Sequence, residues 1–361
     1  MSEPANHKIA VAVIGTGNIA ERYVADLKTY PDVEVVGVTD IDADKVADFA
    51  QRHAVETFAD NETLFSDERV QIVVNLTPHF AHSLVSEQAL QAGKHVYSEK
   101  PLALSSAEAW NLVKLAKEKD LRLACSPFTM IGEAQQTAWK LIRDGKLGDV
   151  RVIYGEVNWG RIEAWHPAPV PFYEVGAMAD VGVYVLAIVT SFFGPAKRIF
   201  SHGKLLMPDR QTNRGQAFRL NTPDWMLHII ELANGIEMRL TTDFYVSNRT
   251  TRQTGIEFHG DLGSLHLEEF SPFNAAVSFA TFGEKLEPIP LLRKPAEGVP
   301  WGRGVHEMVQ AMFDGRPHRF SGEQAAHICD ILDGSTQSIK SGTWVDIDTT
   351  FPPPKPADWL T

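Results

Sequence analysis

The chain has 361 residues, more than one average domain holds, so two domains are expected. Hydrophobic residues make up 44% and charged residues 22%, as in ordinary globular proteins, and no apolar run approaches the ~20 residues that span a bilayer. The formal net charge is −12 and no Lys/Arg cluster interrupts it, which excludes nucleic acid and anionic membrane surfaces as partners.

The start, Met1 to Lys8, carries no apolar export core and no twin arginine. Two cysteines, Cys125 and Cys329, are too few for a disulfide framework and sit in apolar surroundings. Both features point to the cytoplasm, with buried, unbridged thiols.

From residue 8 to 126, short apolar runs alternate with amphipathic helical stretches. The runs fall at 9–14, 33–39, 72–76, 95–98 and 121–125, and several are dense in Val and Ile. Such runs suit strands buried on both faces. Helical patterns occupy 19–28, 42–52, 81–92 and 107–119. Strands alternating with helices predict a parallel sheet with right-handed crossovers, an α/β Rossmann-type domain over residues 1–126.

After Pro127 the pattern changes. A helix at 133–143 leads through Gly145 and Gly148 to strand-like segments at 150–159, 225–232, 236–242, 254–259 and 264–267. Asn234–Gly235 and Asp261–Leu262–Gly263 read as hairpin turns. Helical patterns recur at 181–193, 305–313 and 324–340, and the Pro-rich stretch 351–356 reads as a surface tail. Residues 127–361 are therefore predicted to form an α+β domain with an open antiparallel sheet and helices on one face.

The chemistry starts at Val11-Ala-Val-Ile-Gly15-Thr16-Gly17-Asn18-Ile19-Ala20. Gly15 permits a tight turn, Gly17 lets backbone approach a pyrophosphate, and Ala20 is small enough for helix to pack on strand. Phosphates then meet the N–H groups of Asn18, Ile19 and their neighbours at a helix N-terminus, where the macrodipole favours negative charge. A lone GxGxxA is weak, but this one follows a buried strand and opens a helix. Asp40 closes the second strand 20 residues after Ala20, where an acid accepts ribose hydroxyls. Its charge would repel a 2′-phosphate and Ile41 follows in place of an arginine, so NAD is favoured and NADP is the alternative.

Three further segments accompany this turn: Thr77-Pro78-His79-Phe80-Ala81-His82, Ser98-Glu99-Lys100-Pro101, and Gly176-Ala-Met-Ala-Asp180-Val-Gly182-Val-Tyr184. Together they resemble the glucose–fructose oxidoreductase / inositol dehydrogenase (Gfo/Idh/MocA) family, over essentially the whole chain. The resemblance implies reversible oxidation of a sugar, polyol or related alcohol with NAD(P), in homo-oligomers (dimer or tetramer) associated through the C-terminal sheet. It also implies that Thr77, Pro78 and His82 belong to the cofactor-lining segment, His82 in a structural role. Glu99 would then contact a cofactor ribose, and Pro101 would shape the turn.

Lys100 lies just past a strand's C-terminal end, where open α/β sheets bind ligands. A lysine there can hold the substrate hydroxyl and accept its proton, since a nearby oxidised nicotinamide disfavours the ammonium. Asp180 and Tyr184 are four apart and share one helical face. Family members commonly carry histidine at the second position; a tyrosine occurs in those resembling glucose–fructose oxidoreductase or dihydrodiol dehydrogenase. A phenol, with an unperturbed pKa of ~10, needs lowering for base work. Lys100, Tyr184 or a relay between them can be the proton acceptor.

Between these motifs, Trp159, Arg161, Trp165, His166, Phe172 and Tyr173 cluster in sequence. Rings can face the apolar side of a sugar while His and Arg bind hydroxyls. Arg161, Trp165 and His166 are therefore substrate-binding candidates. The run Cys125-Ser-Pro-Phe-Thr-Met130 lacks the arginine many relatives carry there, which favours a neutral polyhydroxy substrate. Histidine spacing suggests no metal site. An NAD-retaining glycosidase, an aromatic dihydrodiol dehydrogenase and a non-catalytic cofactor-sensing regulator remain as alternatives, because fold alone does not fix chemistry.

Overall fold

In the computed structural model, residues 8–247, 249–250 and 253–360 are described, and residues 1–7, where the sequence carries no export core, lie outside them. The elements run β1 Ile9–Ile14, α1 Asn18–Leu27, β2 Val33–Thr39, α2 Ala43–His53, β3 Glu56–Thr57, α3 Asn61–Ser66, β4 Ile72–Asn75, α4 His82–Gln91, β5 His95–Ser98, α5 Ser106–Glu118 and β6 Leu123–Cys125. They continue with α6 Glu133–Arg143, β7 Val150–Asn158, α7 Val170–Val175, α8 Val183–Phe193, β8 Ala196–Lys204, β9 Asp209–Gln211, β10 Ala217–Arg219, β11 Trp225–Leu232 and β12 Glu237–Asp243. The last are β13 Thr254–Gly260, β14 Gly263–Leu267, β15 Val277–Thr281, β16 Glu287–Ile289, α9 Arg303–Phe313, α10 Gly322–Ser341 and β17 Val345–Asp346.

The chain divides into two compact units, Met1–Phe128 with Pro300–Cys329, and Thr129–Val299 with Asp330–Thr361. The first differs from the predicted division at residue 126, because 300–329 folds with the N-terminal unit. Several long-range bonds explain why. Gly302 N–H donates to Asp26 at 2.7 Å, and Arg122 donates to the carbonyls of Arg316 and Ala311. Gly304 lies so close to Tyr97 and Phe128 that a Cβ there would meet the Tyr97 hydroxyl at 2.2 Å.

The first unit holds a six-stranded parallel sheet in the order β3-β2-β1-β4-β5-β6. Strand β1 lies at its middle and is buried along its whole length, which is why its sequence is apolar without alternation. The order reverses direction between β1 and β4, a topological switch point that opens a crevice at the strands' carboxyl ends.

The second unit contains a nine-stranded sheet, β16-β15-β14-β13-β7-β12-β11-β8-β17, antiparallel except for the β12–β7 pair. Strand β11 alternates half-buried and buried residues, as a sheet with one covered face requires. Helices α8 and α10 cover that face: Gly155 passes beside Val185, and Gly334 passes beside Ile199. His228, on the covered face, is completely buried and bonded to Ser201, Ser335 and Thr242. The opposite face carries Tyr154, 38% exposed, with Arg239 stacked on its ring at 4.7 Å.

The 351–356 stretch is not a loose surface tail. Phe351 and Ala357 are buried, and Ala357 N–H donates to the buried Gln136 side chain at 2.8 Å. Cys125 and Cys329 are buried and form no disulfide. Among the described residues, no helix is long and apolar enough to cross a membrane.

Candidate functional site

The glycine turn forms at the carboxyl end of β1. Gly15 has φ +99°, and a Cβ on it would lie 2.7 Å from the Leu76 carbonyl oxygen, so only glycine fits. Gly17 is the N-cap of α1 with φ −72°, is exposed, and has no atom within 4 Å of a Cβ built on it. No side chain caps α1; Ala20 N–H donates to the Gly17 carbonyl at 3.0 Å, and the N–H groups of Asn18 and Ile19 stand at the helix start where an anion binds. Ala20 is fully buried against the sheet, as the fingerprint needs. An open cradle, an uncapped helix start and a small third residue fit a dinucleotide pyrophosphate.

Asp40 follows β2 and is held by that turn. Its Oδ2 accepts from Thr16 N–H at 2.7 Å and Thr16 Oγ1–H at 3.1 Å, while Oδ1 accepts from Asp42 N–H at 3.2 Å. A groove of about 920 Å³ extends from it, lined by Asp40, Ile41, Asp60, Glu62 and Gln88 among others, with no lysine or arginine in the lining. Ile41 is fully exposed at its rim.

After β4, Thr77 is fixed by Asn75, whose Oδ1 accepts from the Thr77 hydroxyl at 2.7 Å. The fully buried Asn75 amide donates to the His82 carbonyl and to Ser86. His82 opens α4 and is 2% exposed. Its Nδ1 lies 2.7 Å from the Pro101 carbonyl and its Nε2 2.8 Å from the Thr77 carbonyl. With each ring nitrogen against a backbone carbonyl, His82 links the loop after β4 to the loop after β5. Burial pushes its pKa down, against the pull of the two carbonyls and Glu99. Pro78 is exposed in the loop that His82 anchors.

Glu99 is 6% exposed. Its carboxylate accepts from the Tyr23 hydroxyl at 2.5 Å and from Lys100 N–H at 3.2 Å. Burial first, and then the Glu99 charge, push the Tyr23 phenol well above its ordinary range, so it remains the donor. Glu99 thus braces α1 against the end of β5. Lys100 follows directly, half-buried, with a cis bond to Pro101. The short 95–98 strand places it in the crevice at the sheet's carboxyl edge.

In the second unit, Asp180 lies in a single wide π-helical turn, Met178–Gly182, that runs into α8. Such i→i+5 turns recur at functional sites because they re-aim side chains. Asp180 and Tyr184 are both half-buried, and the Tyr184 ring packs on Phe270 at 5.5 Å. Trp159 reaches the same Phe270 at 6.2 Å.

The loop between β7 and the π-turn splits the substrate candidates. Trp165, 48% exposed, packs edge-on against His166 at 5.4 Å and Phe172 at 5.9 Å. His166 Nδ1 accepts from Ala168 N–H at 3.1 Å. Arg161 instead stacks over Tyr245 at 5.1 Å. Beneath this loop Arg210, with a side chain 0% exposed, bonds Glu163 at 2.9 Å, Tyr173 at 2.9 Å and the fully buried Asp224 at 2.6 Å. Tyr173 also donates to Glu163, and burial holds its phenol far above the usual range.

Sequence reasoning missed Phe270, the Thr16–Asp40 bond and the Arg210 network. Phe270 lies 86 positions beyond Tyr184, and no motif marks it. Arg210 resembles any surface arginine until its strand is paired.

Two family profiles match the chain. The profile described as "Oxidoreductase family, NAD-binding Rossmann fold" covers residues 9–126, and the GFO/IDH/MocA C-terminal domain covers residues 135–266. The chain belongs to the Gfo/Idh/MocA oxidoreductase family. Its first unit is that family's NAD-binding Rossmann fold, and its glycine turn, Asp40, Thr77 and Lys100 all fall inside the matched segment.

Among curated Gfo/Idh/MocA relatives, dTDP-3,4-didehydro-2,6-dideoxy-alpha-D-glucose 3-reductase of Streptomyces antibioticus is 29% identical over 242 residues, 66% of this chain and 72% of that one. Trans-1,2-dihydrobenzene-1,2-diol dehydrogenase of Macaca fuscata fuscata is 30% identical over 189 residues, 51% of this chain. That match spans 56% of the macaque protein's length. The solved levoglucosan dehydrogenase–NADH complex superposes with a TM-score of 0.84 at 19% identity, over 95% of this chain and all of that one. An NAD binding oxidoreductase from Klebsiella pneumoniae gives 0.83 at 17%, over 94% of this chain and 99% of that one. These two likenesses show the fold.

Proposed function

We propose that this Gfo/Idh/MocA protein is an NAD-dependent dehydrogenase that oxidises a secondary hydroxyl of a sugar, anhydrosugar or polyol. The observation that carries the reading is Lys100, held at the carboxyl end of β5 by the His82–Pro101 and Glu99–Tyr23 bonds in the unit that binds the dinucleotide. The bound nicotinamide supplies the acceptor for the carbinol C–H electron pair. The O–H proton leaves to this chain's own base, and Lys100 and Tyr184 are the two groups proposed to take it. Asp180, one helical turn from Tyr184, is proposed to position the substrate hydroxyl. Trp165 and His166 offer an aromatic face and a ring nitrogen, and Arg161 a cation, for the rest of the sugar.

A trans-dihydrodiol substrate is the second reading. The 30% identity to a trans-dihydrodiol dehydrogenase and the Trp165–His166–Phe172 ring cluster support it. The test is NADH formation across monosaccharides, anhydrosugars, inositols and a trans-dihydrodiol. Lys100→Met and Tyr184→Phe are expected each to lower kcat by at least ~100-fold, in line with acid–base contributions, while NAD⁺ affinity stays near that of the wild type. Tight NAD⁺ binding with no turnover on any of these alcohols refutes the dehydrogenase reading.

We further propose a cytoplasmic homo-oligomer that associates through the open face of the nine-stranded sheet. The two unbridged thiols support the compartment, and the exposed Tyr154 and Trp344 support the interface. Light scattering of Tyr154→Glu against wild type tests the assembly; a monomeric wild type rejects it.

A further inference from the structure

Asp40 is expected from sequence to accept the ribose hydroxyls, but nothing in the sequence says what aims its carboxylate. The structure does. Both donors of one residue, the Thr16 N–H and the Thr16 hydroxyl, converge on the same oxygen, Asp40 Oδ2, at 2.7 and 3.1 Å. Thr16 is 8% exposed and sits between the two glycines, so its backbone position is set by the phosphate turn itself. Among the described residues, the other oxygen, Oδ1, accepts a longer backbone bond, from Asp42 N–H at 3.2 Å. Two donors on one oxygen fix the carboxylate plane and leave Oδ1 as the better acceptor.

We propose that Thr16 is a positioning residue for cofactor choice: by clamping Asp40, it presents one carboxylate oxygen to the 2′-hydroxyl of the adenosine ribose and turns away a 2′-phosphate. The inference rests on the NAD reading of the first unit and deepens it. The surrounding charges agree. The groove beyond Asp40 is lined by Asp60 and Glu62 with no cation. Lys45 on α2 pairs with Asp42 at 2.7 Å. A carboxylate free to rotate would lose its single orientation, and with it much of the difference between a hydroxyl and a phosphate at that position.

The experiment is calorimetric titration of the full chain with NAD⁺, 2′-deoxy-NAD⁺ and NADP⁺, in wild type, Thr16→Val and Thr16→Ser. In wild type, removing the 2′-hydroxyl weakens binding. Thr16→Val keeps the side-chain volume and the N–H bond but loses the hydroxyl bond. It is expected to weaken NAD⁺ about 3- to 10-fold, on the scale of part of one bond to a charged group. The same variant should leave 2′-deoxy-NAD⁺ within twofold and narrow the NADP⁺/NAD⁺ discrimination by the same factor. Thr16→Ser should restore the wild-type pattern. Equal weakening of all three nucleotides by Thr16→Val overturns the proposal, because a distorted turn would act on the shared pyrophosphate. Wild type that binds none of the three refutes the NAD reading itself, a distinct outcome. Unfolding midpoints of both variants, expected near wild type, show that the turn still folds.

Discussion

The two glycines of the turn make opposite demands, and exchanging each for alanine separates folding from binding. At Gly17 the backbone is extended, with φ −72° and ψ −175°, which alanine adopts freely. No protein atom lies within 4 Å of the new methyl. Losing a glycine N-cap costs a few tenths of a kcal/mol to ~1 kcal/mol, and the reduced freedom of the unfolded chain returns about 0.4–1 kcal/mol. Stability should therefore change by less than ~0.5 kcal/mol. The methyl nevertheless occupies the open cradle above the α1 N-terminus. Holding a pyrophosphate off those N–H groups forfeits at least one bond to a charged group, about 1.5–3 kcal/mol. The Kd for NAD⁺ should rise ~10- to 100-fold.

Gly15→Ala is the counterpart. Its φ of +99° and the 2.7 Å approach to the Leu76 carbonyl put strain and a clash into the fold itself. A loss of ~2–4 kcal/mol and a lower unfolding midpoint are expected. NADH fluorescence titration and thermal unfolding of both variants make the comparison. A Gly17→Ala protein that binds NAD⁺ within twofold of wild type would refute the cradle, and so would one whose binding loss merely tracks a loss of stability.

Three further outcomes follow from buried groups. Arg210→Met strands the buried carboxylates of Asp224 and Glu163, so denaturant unfolding should show a loss of ~3–5 kcal/mol; a loss below 1 kcal/mol would contradict a buried ion network. His228, buried and neutral, is pushed down to about 3 by desolvation, far below the ~6.5 of an unfolded histidine. Below pH ~6.5 the unfolded chain takes up the proton that the folded chain refuses. This site's contribution is thus complete above that pH and declines by up to ~1.4 kcal/mol per unit as pH falls toward 3. His228→Gln should flatten the stability–pH curve in this window, and curves that stay parallel to wild type would remove the assignment. His82→Phe keeps a planar ring, a larger one, but leaves the Thr77 and Pro101 carbonyls without their imidazole partner. It should cost ~1–3 kcal/mol and weaken NAD⁺ binding. Unchanged NAD⁺ titration would show that the two loops do not need the tie.

The sequence by itself determined what depends on neighbours along the chain. The apolar strand at 9–14, the glycines after it and the alternation of strand and helix are local signals, since strand burial and turn chemistry are written within a few residues. The helix Glu133–Arg143 and strand Trp225–Leu232 fall where their periodicity places them. Lys100 and Asp40 were legible because each sits at a fixed offset from such an element. Strand β8, with its lysines, arginine and histidine, and the short β9, β10 and β15–β17 carry too weak a pattern; pairing with neighbours makes them strands.

Tertiary structure decided everything that depends on partners far apart in sequence. It placed 300–329 with the first unit through Asp26, Arg122 and Tyr97. It turned Glu99 inward to Tyr23, 76 positions away, and set Arg210 beneath the loop through Glu163, 47 positions away. It also joined Thr16 to Asp40 across 24 positions. Hydrogen bonds to charged groups are directional and short-ranged, so only the path of the chain brings donor and acceptor within reach. The sequence could name the carboxylate; the fold alone showed which residue holds it.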